Sequence, residues 1–103
     1  MSDLNFQNFS TVQSNKQPLP ATIASAATIA PTTFLTMVTG TTQVATITPP
    51  VTGSHMLALV FTNANPGAFL NSGNIEGTKD PAQYECVLLV YDPITAQYYL
   101  VNP

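Results

Sequence analysis

The chain has 103 residues, of which only 7% are charged, with two lysines, no arginine and a net charge of −3; an average soluble domain carries about 25% charged residues. So few cations argue against nucleic-acid binding, whose affinity is dominated by contacts between cations and phosphates, and against docking on an anionic membrane. One cysteine and one histidine allow neither an intrachain disulfide nor a zinc site built from them alone.

The length is that of one domain. Hydrophobic residues make up an ordinary 45%, so Thr, Ser, Asn and Gln stand where charge is missing. A free monomer keeps roughly 25–35% of its surface residues charged. A neutral, Thr-rich exterior suits a surface that ends up against other protein, because desolvating hydroxyls and amides costs less than desolvating ions. The plainer alternative is a soluble β-domain that happens to be Thr-rich.

Residues 1–20 differ from the rest. They are rich in Asn, Gln and Ser, end in Gln17-Pro18-Leu19-Pro20, and lack the apolar mass for a core. Proline favours extended backbone there. The segment reads as an N-terminal arm that orders on a partner, with Phe6, Phe9 and Leu19 as its contact residues; a frayed terminus without a role is the alternative. It has no basic stretch followed by an apolar one, so no signal peptide is expected. No apolar run nears the roughly 20 residues of a membrane span.

From residue 21 a β pattern begins, giving two segments, an arm over 1–20 and a β-domain over 21–103. Residues 21–30 repeat the pair Thr22-Ile23 as Thr28-Ile29; β-branched residues with Pro31 closing the run favour extended backbone. Residues 34–39 and 43–48 read as a hairpin, with Gly40-Thr41-Thr42 as its turn and Gly40 free to take positive φ. In the second of these strands Ala45 and Ile47 share one face, opposed by Val44, Thr46 and Thr48. Pro49-Pro50 ends it.

Two continuous apolar runs follow, Met56-Leu57-Ala58-Leu59-Val60-Phe61 and Cys86-Val87-Leu88-Leu89-Val90-Tyr91. Each has the length of one strand, and continuous apolarity signals burial on both faces. In a chain this short, that requires either a second covering layer or a neighbouring subunit. Residues 63–83 between them are rich in turn signals, with Phe69 and Ile75 expected to pin the segment to the body. A last hairpin turns at Pro93-Ile94-Thr95-Ala96. Asp92 accepts bonds from the amides ahead of it, and Thr95 helps to satisfy the turn.

Groups that could carry chemistry are few. His55 follows Gly53-Ser54 and could act as a general base with Ser54 or a carboxylate; a strand-end histidine bonded to backbone is favoured, given how many groups a catalytic site requires. Glu76, Asp80 and Glu85 could hold calcium, but their spacing does not match a calcium loop, and a solvated loop is the simpler reading. Tyr91, Tyr98 and Tyr99 suit cross-strand pairing first, an interface second and sugar stacking third. No cofactor, metal or catalytic residue is expected. A lone thiol in an apolar run suits a reducing compartment.

The order of several motifs resembles the small β-modules of tailed-phage virion proteins. These are Thr22 to Pro31, Val38-Thr39-Gly40-Thr41-Thr42 leading into Val44 to Pro50, Gly73-Asn74-Ile75, and Leu89 to Thr95 with Tyr98-Tyr99. The resemblance runs over most of residues 21–101, and its individual motifs are loose. It implies an all-β, compact antiparallel β-sandwich or small barrel-like domain without enzymatic activity. It also implies a capsid decoration (cement) protein, made in the host cytoplasm and bound outside the head shell, where it bridges neighbouring capsid subunits. The partners would be the major capsid protein and the chain itself, as a homotrimer, with Ile23, Ile29, Tyr91, Tyr98 and Tyr99 as expected subunit contacts. The chain departs from these modules in its longer charged loop, residues 74–85. A fibre or tail-tip module that binds host surface glycans is the alternative in the same class, and a small hydrolase using His55 the alternative in another.

Overall fold

The computed structural model describes residues 19–69 and 73–102. The described part is all-β, with eight strands: β1 (Ala21–Ala24), β2 (Thr28–Ile29), β3 (Leu35–Thr39), β4 (Thr46–Ile47), β5 (His55–Phe61), β6 (Ile75–Glu76), β7 (Cys86–Asp92) and β8 (Gln97–Leu100). Six of them form one sheet in the order β1-β3-β5-β7-β8-β6, and β2 pairs with β4 in a second.

The expected antiparallel arrangement holds only where β7 meets β5 and β8. The β1/β3, β3/β5, β6/β8 and β2/β4 pairs are parallel. The cause lies in the connections. From β1 to β5 the chain alternates between the two sheets, so each return to the large sheet arrives in the same direction as before. A parallel pair needs such a crossover, and here short strands supply it instead of helices.

This replaces the expected hairpin of residues 34–39 with 43–48. Gly40 does take a positive φ of 90°, but the turn carries the chain to the other sheet. Ser25, at the equivalent corner one turn earlier, holds it there. Its amide donates to Thr39 O at 2.7 Å, and its Oγ accepts from the Thr42 amide at 2.9 Å. The expected faces of 43–48 are also different. The amides of Ala45 and Thr46 both donate to Ala27 O at 2.9 Å, which breaks the two-residue alternation. Val44 and Ile47, three apart, are therefore both buried.

Asn74 joins the two sheets. Its side chain lies beside β4 as a strand would: Oδ1 accepts from the Ile47 amide at 2.8 Å, and Nδ2 donates to Ile47 O at 2.6 Å. Its own carbonyl accepts from the Tyr98 amide at 2.7 Å. Gly73 brings it this close, since a Cβ there would overlap Thr46 Oγ1 and Ala45 O, and its φ is +57°. Asn102 does the same for β7, bonding the Leu88 amide at 3.1 Å and Cys86 O at 3.2 Å.

The core lies between the sheets. Val38 comes from β3, Leu57, Leu59 and Phe61 from β5, Val87 and Leu89 from β7, and Ile29 and Ile47 from the small sheet. Phe69 and Ile75 are buried among them, as expected, with Phe69 edge-on to Phe61 at 5.4 Å. In the final turn the Ile94 amide donates to Asp92 Oδ1 at 3.0 Å and Thr95 Oγ1 to Asp92 Oδ2 at 3.2 Å, and Ala96 closes it at a φ of 56°.

Candidate interaction face

Side chains alternate across a strand, so one face of the large sheet takes the core residues and the other takes what remains. The apolar runs are continuous, so what remains is also apolar. Strand register places Met56, Val90 and Tyr99 in one row. Leu35, Ala58 and Leu88 form the next, and Thr22, Met37, Val60 and Cys86 the third. Met56 is 51% exposed, Leu35 43%, and Val90 and Tyr99 39% each; Met37, Ala58, Val60 and Leu88 are half-buried by their neighbours.

No described layer of the chain covers this face. Among the described residues β5 and β7 are covered on one side only, so the second cover that their continuous apolar runs call for, another layer or a neighbouring subunit, is not supplied by them. Charge is confined to the rim: Glu76 lies beside Tyr99 on the edge strand β6, and Asp92 is held in the terminal turn. A rim of charge around an uncharged centre is the composition of a protein–protein contact. Isolated apolar residues are normal on a surface, whereas a contiguous group of this kind marks an interaction site.

The expected subunit contacts lie in different parts of the fold. Ile29 and Tyr98 are fully buried in the chain's own core and Tyr91 nearly so, while Ile23 is half-buried against that core. They are taken up internally because β2 faces the main sheet and because Tyr91 and Tyr98 pack on each other with ring centroids 4.8 Å apart. Of the five, Tyr99 alone lies on the open face. With Tyr91 and Tyr98 buried, no three-tyrosine platform for sugar stacking reaches the surface. Of the expected arm contacts, Leu19 is 86% exposed, and Phe6 and Phe9 lie outside the described residues.

His55 sits at the end of β5 in a cluster of rings. It stacks on Tyr91 at 5.1 Å, with Phe34 at 5.6 Å and Tyr98 edge-on at 5.6 Å. Nδ1 lies 2.8 Å from Gly53 O, which can only accept, so Nδ1 carries the proton. In the neutral imidazole Nε2 is then the acceptor and takes the Tyr98 hydroxyl at 2.8 Å. Burial, and secondarily the neighbouring Tyr91, raises the Tyr98 phenol above its ordinary range. Both ring nitrogens serve the architecture, as in the favoured reading of a strand-end histidine.

Glu85 bonds the Ala82 amide at 2.9 Å and forms an ion pair with Lys79 at 2.9 Å. The Ala82 bond first, and Lys79 next, lower its pKa below the ordinary carboxylate value. Among the described residues no group of three or more His, Cys, Asp or Glu side chains converges as a metal would require. A depression of about 510 Å³ is bounded by Thr41, Gln43, Gly67, Lys79 and Asp80. It presents small hydroxyl and amide groups around a lysine already engaged by Glu85.

Sequence reasoning flagged the apolar runs but not the face itself, because it could not assign their neighbours. Compared with known proteins, the chain is matched by no family model, no curated protein and no solved structure.

Proposed function

We propose that this chain is a non-enzymatic structural module that acts by surface contact, as a decoration protein on the outside of a tailed-phage head. The observation that carries the contact function is the open sheet face, whose rows run from Met56 to Cys86 without a single Asp, Glu, Lys or Arg away from the rim. A surface of this kind gains free energy when covered, at roughly 25 cal/mol per Å² of apolar area removed from water. The head location is supported by the motif order that resembles small phage β-modules.

The shell contact would come from the other end of the sheet. Among the described residues β1 has only β3 beside it, and exposed Leu19 lies just before it. An open edge accepts a further strand through its backbone groups. The segment holding Phe6, Phe9 and Leu19 would add to a capsid strand in this way. A protein that binds only the assembled shell then stabilises it by mass action.

The test is co-sedimentation of the purified chain with head shells of its own phage. The expected result is a saturable pellet fraction and shells that disrupt at a higher temperature when the chain is bound. A chain that stays in the supernatant at every concentration would overturn the decoration reading.

A further inference from the structure

We infer that the open face of the six-stranded sheet is covered by the same face of a second copy, forming a two-fold pair. The inference rests on the contact function proposed above and names the partner of that surface.

Size is the first argument. Six strands spaced about 4.8 Å apart give a sheet about 29 Å wide, and strands of up to seven residues at about 3.3 Å each give a height near 23 Å. The longest strands are central and the edges short, so the footprint is on the order of 500 Å². Two such faces total about 1,000 Å² before side-chain relief is added, which reaches the lower bound for a specific interface.

Charge is the second. In a two-fold contact the same patch meets itself, so every charge on it faces a region that carries the same charge. Like charges brought together across an interface are strongly unfavourable. In a chain of net charge −3, the three central rows are neutral, with Glu76 and Asp92 left at the rim where water reaches them. A partner chosen for its own charge would call for a charged patch opposite it.

Shape is the third. Sheets stack face to face about 10 Å apart with interdigitating side chains. The small residue Ala58, between Leu35 and Leu88 in the middle row, leaves a hollow there for a projecting side chain. Met37 and Met56 supply unbranched, adaptable chains for such a fit. The result is a pair, where the resemblance to phage modules implies a trimer.

The test measures the molar mass of the full chain by sedimentation equilibrium, together with three single variants. Leu88→Glu and Val60→Lys place a charge on the open face on two different strands. Thr41→Glu places one on an exposed residue elsewhere. The near-ultraviolet circular dichroism of the buried tyrosines reports that each variant is folded. The expected result is twice the 10.9 kDa chain mass for the native protein and Thr41→Glu, and a dissociation constant raised at least 100-fold for both face variants. A native mass of one chain or of three would overturn the inference, as would folded face variants that remain paired. A single-chain native protein whose binding to head shells is abolished by Leu88→Glu would overturn the pair while leaving the decoration function standing.

Discussion

Replacing Asn74 by alanine should cost more stability than its modest exposure suggests. The substitution removes both side-chain bonds to Ile47, at 2.8 and 2.6 Å. It leaves the amide and carbonyl of Ile47 without partners, and Ile47 is fully buried. Orphaning a buried polar group costs about 1–3 kcal/mol. Asn74 is itself half-buried, so water can enter part of the space, and the lower half of that range applies to each group. The sum is about 2–4 kcal/mol. Against a total stability of roughly 5–15 kcal/mol for a chain this long, that is a large fraction. It corresponds to a fall in Tm of roughly 10–25 °C. Asn102→Ala is the matched control. It also removes two side-chain bonds to a strand, but they are longer, one of them is exposed, and neither Leu88 nor Cys86 is fully buried, so about 0.5–1 kcal/mol is expected. Urea unfolding at one fixed protein concentration measures both, because pairing makes stability depend on concentration. A loss below about 1 kcal/mol for Asn74→Ala, or one no larger than that of Asn102→Ala, would refute the claim that Asn74 acts as a strand for β4.

Gly73→Ala should destabilise by at least about 2 kcal/mol, since a left-handed backbone and a clash against β4 act together; urea unfolding reads it directly. Tyr98→Phe removes only the hydroxyl that donates to His55. A loss of about 1 kcal/mol is expected by the same method, because water can reach the half-exposed imidazole. Lys79→Met should raise the titration midpoint of Glu85 in carboxyl NMR yet leave it below the ordinary value, because the Ala82 bond remains as the larger cause. The sign follows from the lowered pKa in the folded state. The stabilisation from Glu85 is present above the ordinary value of 4.5 and is lost as pH falls through the lower folded value.

The apolar runs over 56–61 and 86–91, the terminal turn at Asp92 and the anchoring of Phe69 and Ile75 were legible in the sequence. Each depends on side-chain period or on local turn chemistry. Strand partners were not legible, because a two-residue period says which residues share a face but not which strand lies beside them. Gly40-Thr41-Thr42 carries the signals of a hairpin turn, and the same conformational freedom serves equally well at a corner between sheets. The burial of Tyr98 depends on His55, 43 residues away, and that of Ile29 on the crossover of β2 to the second sheet. Asn74 reads as a turn residue in sequence, and its role as a substitute strand arises only when Gly73 lets it approach β4.

The continuous apolarity of β5 and β7 was the most informative local signal. It demanded cover on two sides, and the described residues supply one. Away from the rim residue Asp92, the open face of these strands carries no charge.

Cys86 offers the most direct measurement. It lies in the third row of the open face and is exposed in the single chain, so its rate of alkylation by a neutral maleimide reports whether that face is covered. The account predicts a rate that falls at least tenfold as protein concentration rises through the pairing range and recovers on dilution. A fast rate at every concentration would contradict it, and so would a slow rate that dilution leaves unchanged, since the cover would then come from within the same chain.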